Sequence, residues 1–444
     1  MDDLRRFLPL LFTFFNAFSS SSPQPYIGIN YGKVADNLPP PESTARLLES
    51  TSISKLRLYG VDPAIIRSLA GTNISLILGT TNADIPSLAA SLTAASAWVS
   101  SNIQPFLPSS SIYAISVGNE VLTEADPSLS SQLLSAMQNL RSAVSAAAAG
   151  GADIKISTVH SMAVLSQSDP PSSGAFSANL SPSLNPILQF LHEHASPFMV
   201  NPYPYFAYQS DPRAETLAFC LFEPNSGRPD PGSGVTYTNM FDAQVGAVRA
   251  ALSAAGFSGV PVVVAETGWP YRGDQGEEGA TVENARAYNG NLVTHLRAMA
   301  DPVETYIFAL YDEDLKPGPL SERSFGLFSP DRTPIYDVGL LKAPVEPSAP
   351  PVPAPSEGVS SGPSEGVTPP PPPISRIAPP LPPELAPAGE VCGVKGGRGG
   401  GTCGQPVTQD PSRSSDKSGE RRLRIKETLL VLDFALLVFF RRLM

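Results

Sequence analysis

The 444-residue sequence predicts a (β/α)8 barrel, the TIM-barrel architecture, from three observations: eight short apolar runs, stretches of helical period between them, and a span of roughly 320 residues before the composition changes. The apolar runs are Tyr26 to Tyr31, Lys55 to Tyr59, Ile74 to Gly79, Tyr113 to Gly118, Ile154 to Val159, Phe198 to Tyr203, Val262 to Glu266 and Tyr306 to Tyr311. Each is short and rich in β-branched or aliphatic residues, as strands covered on both faces require. Between them, Ile85 to Ser101, Ser128 to Ala149, Asn185 to His194, Met240 to Ala255 and Val282 to Ala300 carry amphipathic, often Ala-rich helical patterns. An open doubly wound sheet is the alternative. It lacks support, because the turn from Gly28 to Gly32 is not the Gly-rich fingerprint that cradles a dinucleotide phosphate.

The barrel is expected over 24–342, preceded by a leader and followed by unlike segments. Arg5 and Arg6, an apolar run from Phe7 to Phe18 and the serines that follow read as a secretory signal peptide over 1–23. From Pro344 to Pro387 there are 17 prolines in 44 residues, so 343–390 is expected to be an extended, disordered, O-glycosylated stalk that cannot bury a core. A Gly-, Ser- and charge-rich segment over 391–427 follows, then a hydrophobic tail over 428–444. Small residues, a polar spacer and an apolar tail suggest a GPI-attachment signal with Ser414, Ser415 or Ser418 as acceptor, although Asp433 interrupts the tail and Arg441 and Arg442 follow it.

Composition narrows the function. Hydrophobic content of 42% with 16% charged residues suits a globular domain with neutral polar surfaces, and a net charge of -11 with a pI of about 4.9 argues against nucleic acid. A neutral polymer is compatible with that surface, and a monomer is expected. Cys220 lies in an apolar stretch and reads as a buried thiol, whereas Cys392 and Cys403 could bridge each other. No zinc spacing is present, and His192 and His194, two apart, fall on different sides of a helix; neither a metal nor a cofactor is called for. Asn73 and Asn179 open glycosylation sequons.

In such a barrel the working groups stand at the C-terminal ends of the strands. Glu120 closes the fourth run and Glu266 the seventh, across the mouth from each other. A carboxylate at one strand end is as readily structural as catalytic. Two that face each other across a cleft are what glycosidic cleavage needs: one protonated, to protonate the leaving oxygen, and one ionised, to attack the anomeric carbon. A separation of about 5 to 5.5 Å would mean double displacement with retention. Asn119 can reach a sugar hydroxyl. Aromatic platforms for pyranose faces are available at strand ends from Tyr31, Tyr59, Tyr203, Tyr205, Phe206, Trp269 and Tyr311, with Trp269 and Tyr203 ranking first.

The motifs from Ile27 to Gly32, Arg57 to Gly60, Val117 to Glu120, Asn201 to Phe206, Ala265 to Pro270 and Ser321 to Phe328 resemble those of the plant β-1,3-glucanases of glycoside hydrolase family 17, over about Tyr26 to Leu341. The resemblance implies a secreted, retaining endo-β-1,3-glucanase acting on callose-like polymers of the cell wall, with Glu120 as general acid/base and Glu266 as nucleophile. It also implies supporting roles for Glu313, Lys316 and Glu322. Lys316 can hold a neighbouring carboxylate ionised, and an acidic neighbour can raise the pKa of the acid. Asp312 stands where many members have Asn, adding charge near the site. Two other functions compete: a catalytically silent β-glucan-binding wall protein, and a transglycosylase passing the same covalent intermediate to a sugar.

Overall fold

The computed structural model describes residues 26–342 apart from 125 and 148–152. Leader, stalk, the Cys392 and Cys403 segment and the tail lie outside the described residues. Eight parallel strands close a barrel: β1 (Ile27–Tyr31), β2 (Lys55–Leu58), β3 (Ser75–Thr80), β4 (Ser111–Asn119), β5 (Lys155–Ser161), β6 (Phe198–Asn201), β7 (Val262–Thr267) and β8 (Glu304–Ile307), each paired with its sequence neighbours and β8 with β1.

Alternation along the strands separates two apolar layers. Inside the barrel, Ile77, Ala114, Val159, Met199, Val263, Ala265 and Tyr306 pack together. The opposite faces, with residues such as Ile29, Leu56, Leu78 and Val264, pack against the helices. Tyr306 explains Gly28, because a Cβ there would lie 2.5 Å from the Tyr306 ring.

Among the described residues there are ten α-helices: α1 (Pro41–Glu49), α2 (Pro63–Ser68), α3 (Ile85–Ala90), α4 (Leu92–Asn102), α5 (Pro127–Ala147), α6 (Ser181–Glu193), α7 (Pro204–Ser210), α8 (Ala214–Cys220), α9 (Met240–Ala254) and α10 (Val282–Ala298). The helix expected over Ile85 to Ser101 is two helices. Ser91 stands between them in extended backbone and its side chain accepts from Ala94 N at 3.2 Å, so this serine caps α4 rather than continuing α3. The last strand lies earlier than expected: its ladder ends at Ile307, the Phe308–Ala309 peptide is cis, and Leu310 N then bonds Asn30 O at 2.8 Å. Two small ribbons, Leu165–Gln167 with Ala175–Phe176 and Arg228–Asp230 with Val235–Tyr237, sit in the loops. Among the described residues no helix is long and apolar enough to cross a membrane.

Candidate active site

Glu120 follows the last residue of β4 in left-handed backbone, φ 56°, a conformation unusual for a residue with a Cβ and concentrated at functional sites. Its amide donates to Val159 O at 2.8 Å, and the Thr123 amide bonds its carbonyl at 3.0 Å, so the turn is fixed on both sides. The carboxyl opens onto the mouth and accepts one hydrogen bond, from Asn201 Nδ2 at 2.7 Å. Desolvation pushes the acid up to about 7; the Glu266 charge adds to the rise, while Asn201, Arg57 and Lys316 oppose it. Glu120 is thus the carboxyl of the site that keeps its proton near neutrality.

Glu266, within β7, is in the opposite environment. Arg57, rising from β2 and only 1% exposed, donates from Nη1 to Glu266 Oε1 at 2.6 Å. Its Nη2 donates to Asn119 Oδ1 at 2.7 Å. Tyr203 donates to the other oxygen, Oε2, at 2.9 Å; burial first, and then the Glu266 charge, hold that phenol well above its usual range and so protonated as a donor. The Tyr59 ring lies under the Arg57 guanidinium at 4.5 Å, and its hydroxyl is near Glu266 without a hydrogen bond of ordinary geometry. Glu266 is therefore the anionic member of a buried ion pair.

The cluster after β8 joins the pair electrostatically. Lys316 Nζ meets Glu322 Oε2 at 2.9 Å and lies 4.7 Å from the Phe308 ring centroid. Burial works against its charge, but Glu322, Glu313 and Glu266 outweigh that and raise its pKa. Buried Glu313 accepts from Val34 N at 2.9 Å and nests against Gly32, where a Cβ would stand 2.1 Å from the carboxyl carbon.

The sequence-predicted residues Glu120, Glu266, Asn119, Tyr59, Tyr203, Glu313, Lys316 and Glu322 therefore come together, and half-buried Phe206 adjoins Tyr203 with ring centroids 5.4 Å apart. Four aromatic expectations are corrected, because Trp269, Tyr205, Tyr31 and Tyr311 are all buried. Trp269 is 0% exposed, packed on Tyr205, Tyr208 and Tyr288, with Nε1 donating to Gly279 O at 2.7 Å, so it is core and not a sugar platform. Tyr31 is 3% exposed and packs edge-on against Tyr311, equally buried. Asp312 does not add a free charge at the pair: Tyr271 donates to it, Gly326 N bonds it at 2.8 Å and Arg272 stands 3.6 Å away. Arg57 and Asn201 were missed as working residues, although both open motifs quoted above. Cys220 is a buried free thiol as expected, and both sequon asparagines are exposed.

Fold and site together define a (β/α)8 barrel with one glutamate whose pKa is raised by burial and one paired with a buried guanidinium facing one mouth, the arrangement of glycoside-cleaving barrels. The sequence profile of glycosyl hydrolases family 17 matches residues 27–340, and the chain belongs to that family. Among relatives, it is 60% identical over 340 residues to "Glucan endo-1,3-beta-glucosidase 7" of Arabidopsis thaliana, covering 75% of this chain and 67% of the relative. It is 51% identical over 354 residues to "Glucan endo-1,3-beta-D-glucosidase" of Olea europaea, covering 78% and 77%. Among solved structures, a β-1,3-glucanase and allergen of Cryptomeria japonica pollen superposes with a TM-score of 0.67 at 40% identity, covering 71% of this chain and 99% of that one.

Proposed function

We propose that the chain is a retaining endo-hydrolase of β-1,3-glucan. Glu120 gives its proton to the glycosidic oxygen as the bond to the anomeric carbon breaks, and Glu266 forms the covalent glycosyl ester. Glu120, now ionised, takes a proton from water as that water attacks the same carbon and expels Glu266. Arg57 and Tyr203 orient the nucleophile's two oxygens; Lys316 holds Glu322 and offsets the negative charge of the mouth. The observation that carries the reading is the opposed environment of the two glutamates, one raised by desolvation and its neighbour's charge and one paired with a buried guanidinium. The names of the relatives, which specify glucan endo-1,3-β-glucosidases, support the linkage. The same reading places the protein outside the cell as a monomer, with 1–23 removed, 343–390 as a stalk, and 428–444 replaced by a GPI anchor; the leader and tail compositions support it.

The test is reducing-end release from laminarin with the first-formed anomer followed by NMR. Wild type should yield the β anomer first, and Glu266→Gln should lose about three orders of magnitude or more in kcat. An α anomer formed first, or a fully active Glu266→Gln, would remove the mechanism.

A further inference from the structure

Away from the cleft, the barrel wall holds a cavity of about 460 Å³ between the end of α8, the start of α9 and the face of α10. Ligand pockets commonly run from about 300 to 1,000 Å³, so this one has room for a short sugar segment. None of its lining residues belongs to the Glu120 and Glu266 cluster.

Phe222 supplies an aromatic ring to this cavity from an unusual backbone, φ 59°. It occupies the residue after the α8 cap, where Glu223 N closes the turn onto Ala218 O at 2.9 Å, a position that ordinarily takes glycine. A bulky residue in left-handed backbone is disfavoured. Glycine would make the same turn without that penalty, so the ring itself accounts for the phenylalanine. Part of it packs against Phe241, Tyr288 and His295, and the remainder faces the cavity.

The polar wall is held in place by its own bonds. Asn225 Nδ2 bridges Glu223 O at 2.7 Å and Thr238 O at 2.9 Å, and Asn291 Nδ2 holds Leu221 O at 2.7 Å. Asp242 accepts from Asn239 Nδ2 at 2.8 Å and meets His295 Nε2 at 3.0 Å. The Thr238 hydroxyl, Asn291 Oδ1 and the Glu223 carboxylate form no hydrogen bond within the described residues. The Phe222 ring and the His295 imidazole beside fixed amides and spare acceptors, with no lysine or arginine in the lining, suit a ligand rich in hydroxyl donors and without negative charge.

The geometry points to an accessory binding site for a neutral β-glucan segment in this cavity, the β-1,3 linkage resting on the function proposed above. A polymer held at a second point raises its effective concentration at the cleft. The test is calorimetric titration of the full chain carrying Glu266→Gln with laminarihexaose, with cellohexaose in parallel. The expected stoichiometry is two. Adding Thr294→Arg, an exposed α10 position on the cavity wall, should reduce it to one and lower retention on insoluble β-1,3-glucan by about fivefold. Phe222→Gly, which suits the turn and removes the ring, should give the same losses. A stoichiometry of one before the cavity is altered, or of two after both changes, overturns the site. Equal filling of the cavity by cellohexaose overturns its assignment to β-1,3-glucan. A wild-type chain inert on laminarin would defeat the functional reading, whereas single-site binding by a chain active before Glu266→Gln defeats only this one.

Discussion

Asn201→Ala isolates one influence on the acid without touching either glutamate. Burial, and then the Glu266 charge, raise Glu120 to about 7 against the pull of Asn201, Arg57 and Lys316. Asn201 makes the one hydrogen bond that Glu120's side chain receives, at 2.7 Å, and it favours the ionised carboxylate. Hydrogen bonds to charged groups are worth roughly 1.5–3 kcal/mol, and about 1.4 kcal/mol moves a pKa by one unit, so the acid should rise by about one to two units. In the mechanism proposed above Glu120 must be protonated to act, so activity should fall as pH rises through its pKa. The alkaline limb of log kcat/KM on laminarin should therefore move from near 7 to about 8–9, with the acid limb little changed; both limbs are macroscopic constants of the coupled pair. Absolute rates will fall if Asn201 also touches substrate, so the diagnostic is the limb's position, measured on protein shown by circular dichroism to be folded. An alkaline limb that stays in place or moves down refutes Glu120 as the proton donor.

Arg57→Met breaks a buried pair and should lower the unfolding free energy by roughly 3–5 kcal/mol; in a Glu266→Gln background its effect on Tm should shrink, as a double-mutant cycle would record. Gly32→Ala should drive Glu313 from its place and lower kcat/KM more than about tenfold with the fold retained, while Gly60→Ala, which meets nothing within 4 Å, serves as the silent control. His160 is fully buried against Phe198, neither ring nitrogen has a hydrogen-bond partner among the described residues, and desolvation lowers its pKa to about 3. A base whose folded pKa lies below its unfolded value of about 6.5 contributes fully above that pH and loses the contribution as pH falls toward 3, about 2 kcal/mol of it by pH 5. His160→Phe should therefore match wild type in urea unfolding at pH 8 and exceed it by about that amount at pH 5; parallel curves at the two pH values would refute the assignment.

The barrel was legible because parallel strands covered on both faces must be apolar throughout, and that pattern survives in single sequences. What escaped notice was short or locally ambiguous. Helices of six to nine residues, such as α1, α2, α7 and α8, show too few turns for a period to emerge. Ser91 in an Ala- and Ser-rich stretch looks like any surface serine until its hydroxyl is seen capping α4. Glu120 and Glu266 were legible for the same reason as the strands, since each interrupts an apolar run at the end where barrel chemistry gathers. Arg57 was not, because a basic residue alternating with leucines in Lys55 to Leu58 reads as a polar outer face; in a closed barrel that alternate face turns into the mouth, where an anion waits.

In the aromatic residues, packing rather than residue type decides which ring joins the site. Tyr203 and Trp269 both follow strand ends, both combine a flat ring with one polar hydrogen, and no property of the isolated sequence separates them. The destination of that hydrogen does. Tyr203 spends it on Glu266 Oε2, which fixes the phenol within the chemistry, whereas Trp269 spends it on Gly279 O and encloses its ring among Tyr205, Tyr208 and Tyr288. A buried N–H must find an acceptor, and Trp269 finds it at Gly279 O in the loop before α10, so Trp269 anchors that loop. The Ala265 to Pro270 motif thus does two jobs in one pass: Glu266 pairs with Arg57 and Tyr203 at the mouth, and Trp269 ties down the loop that carries Gly279.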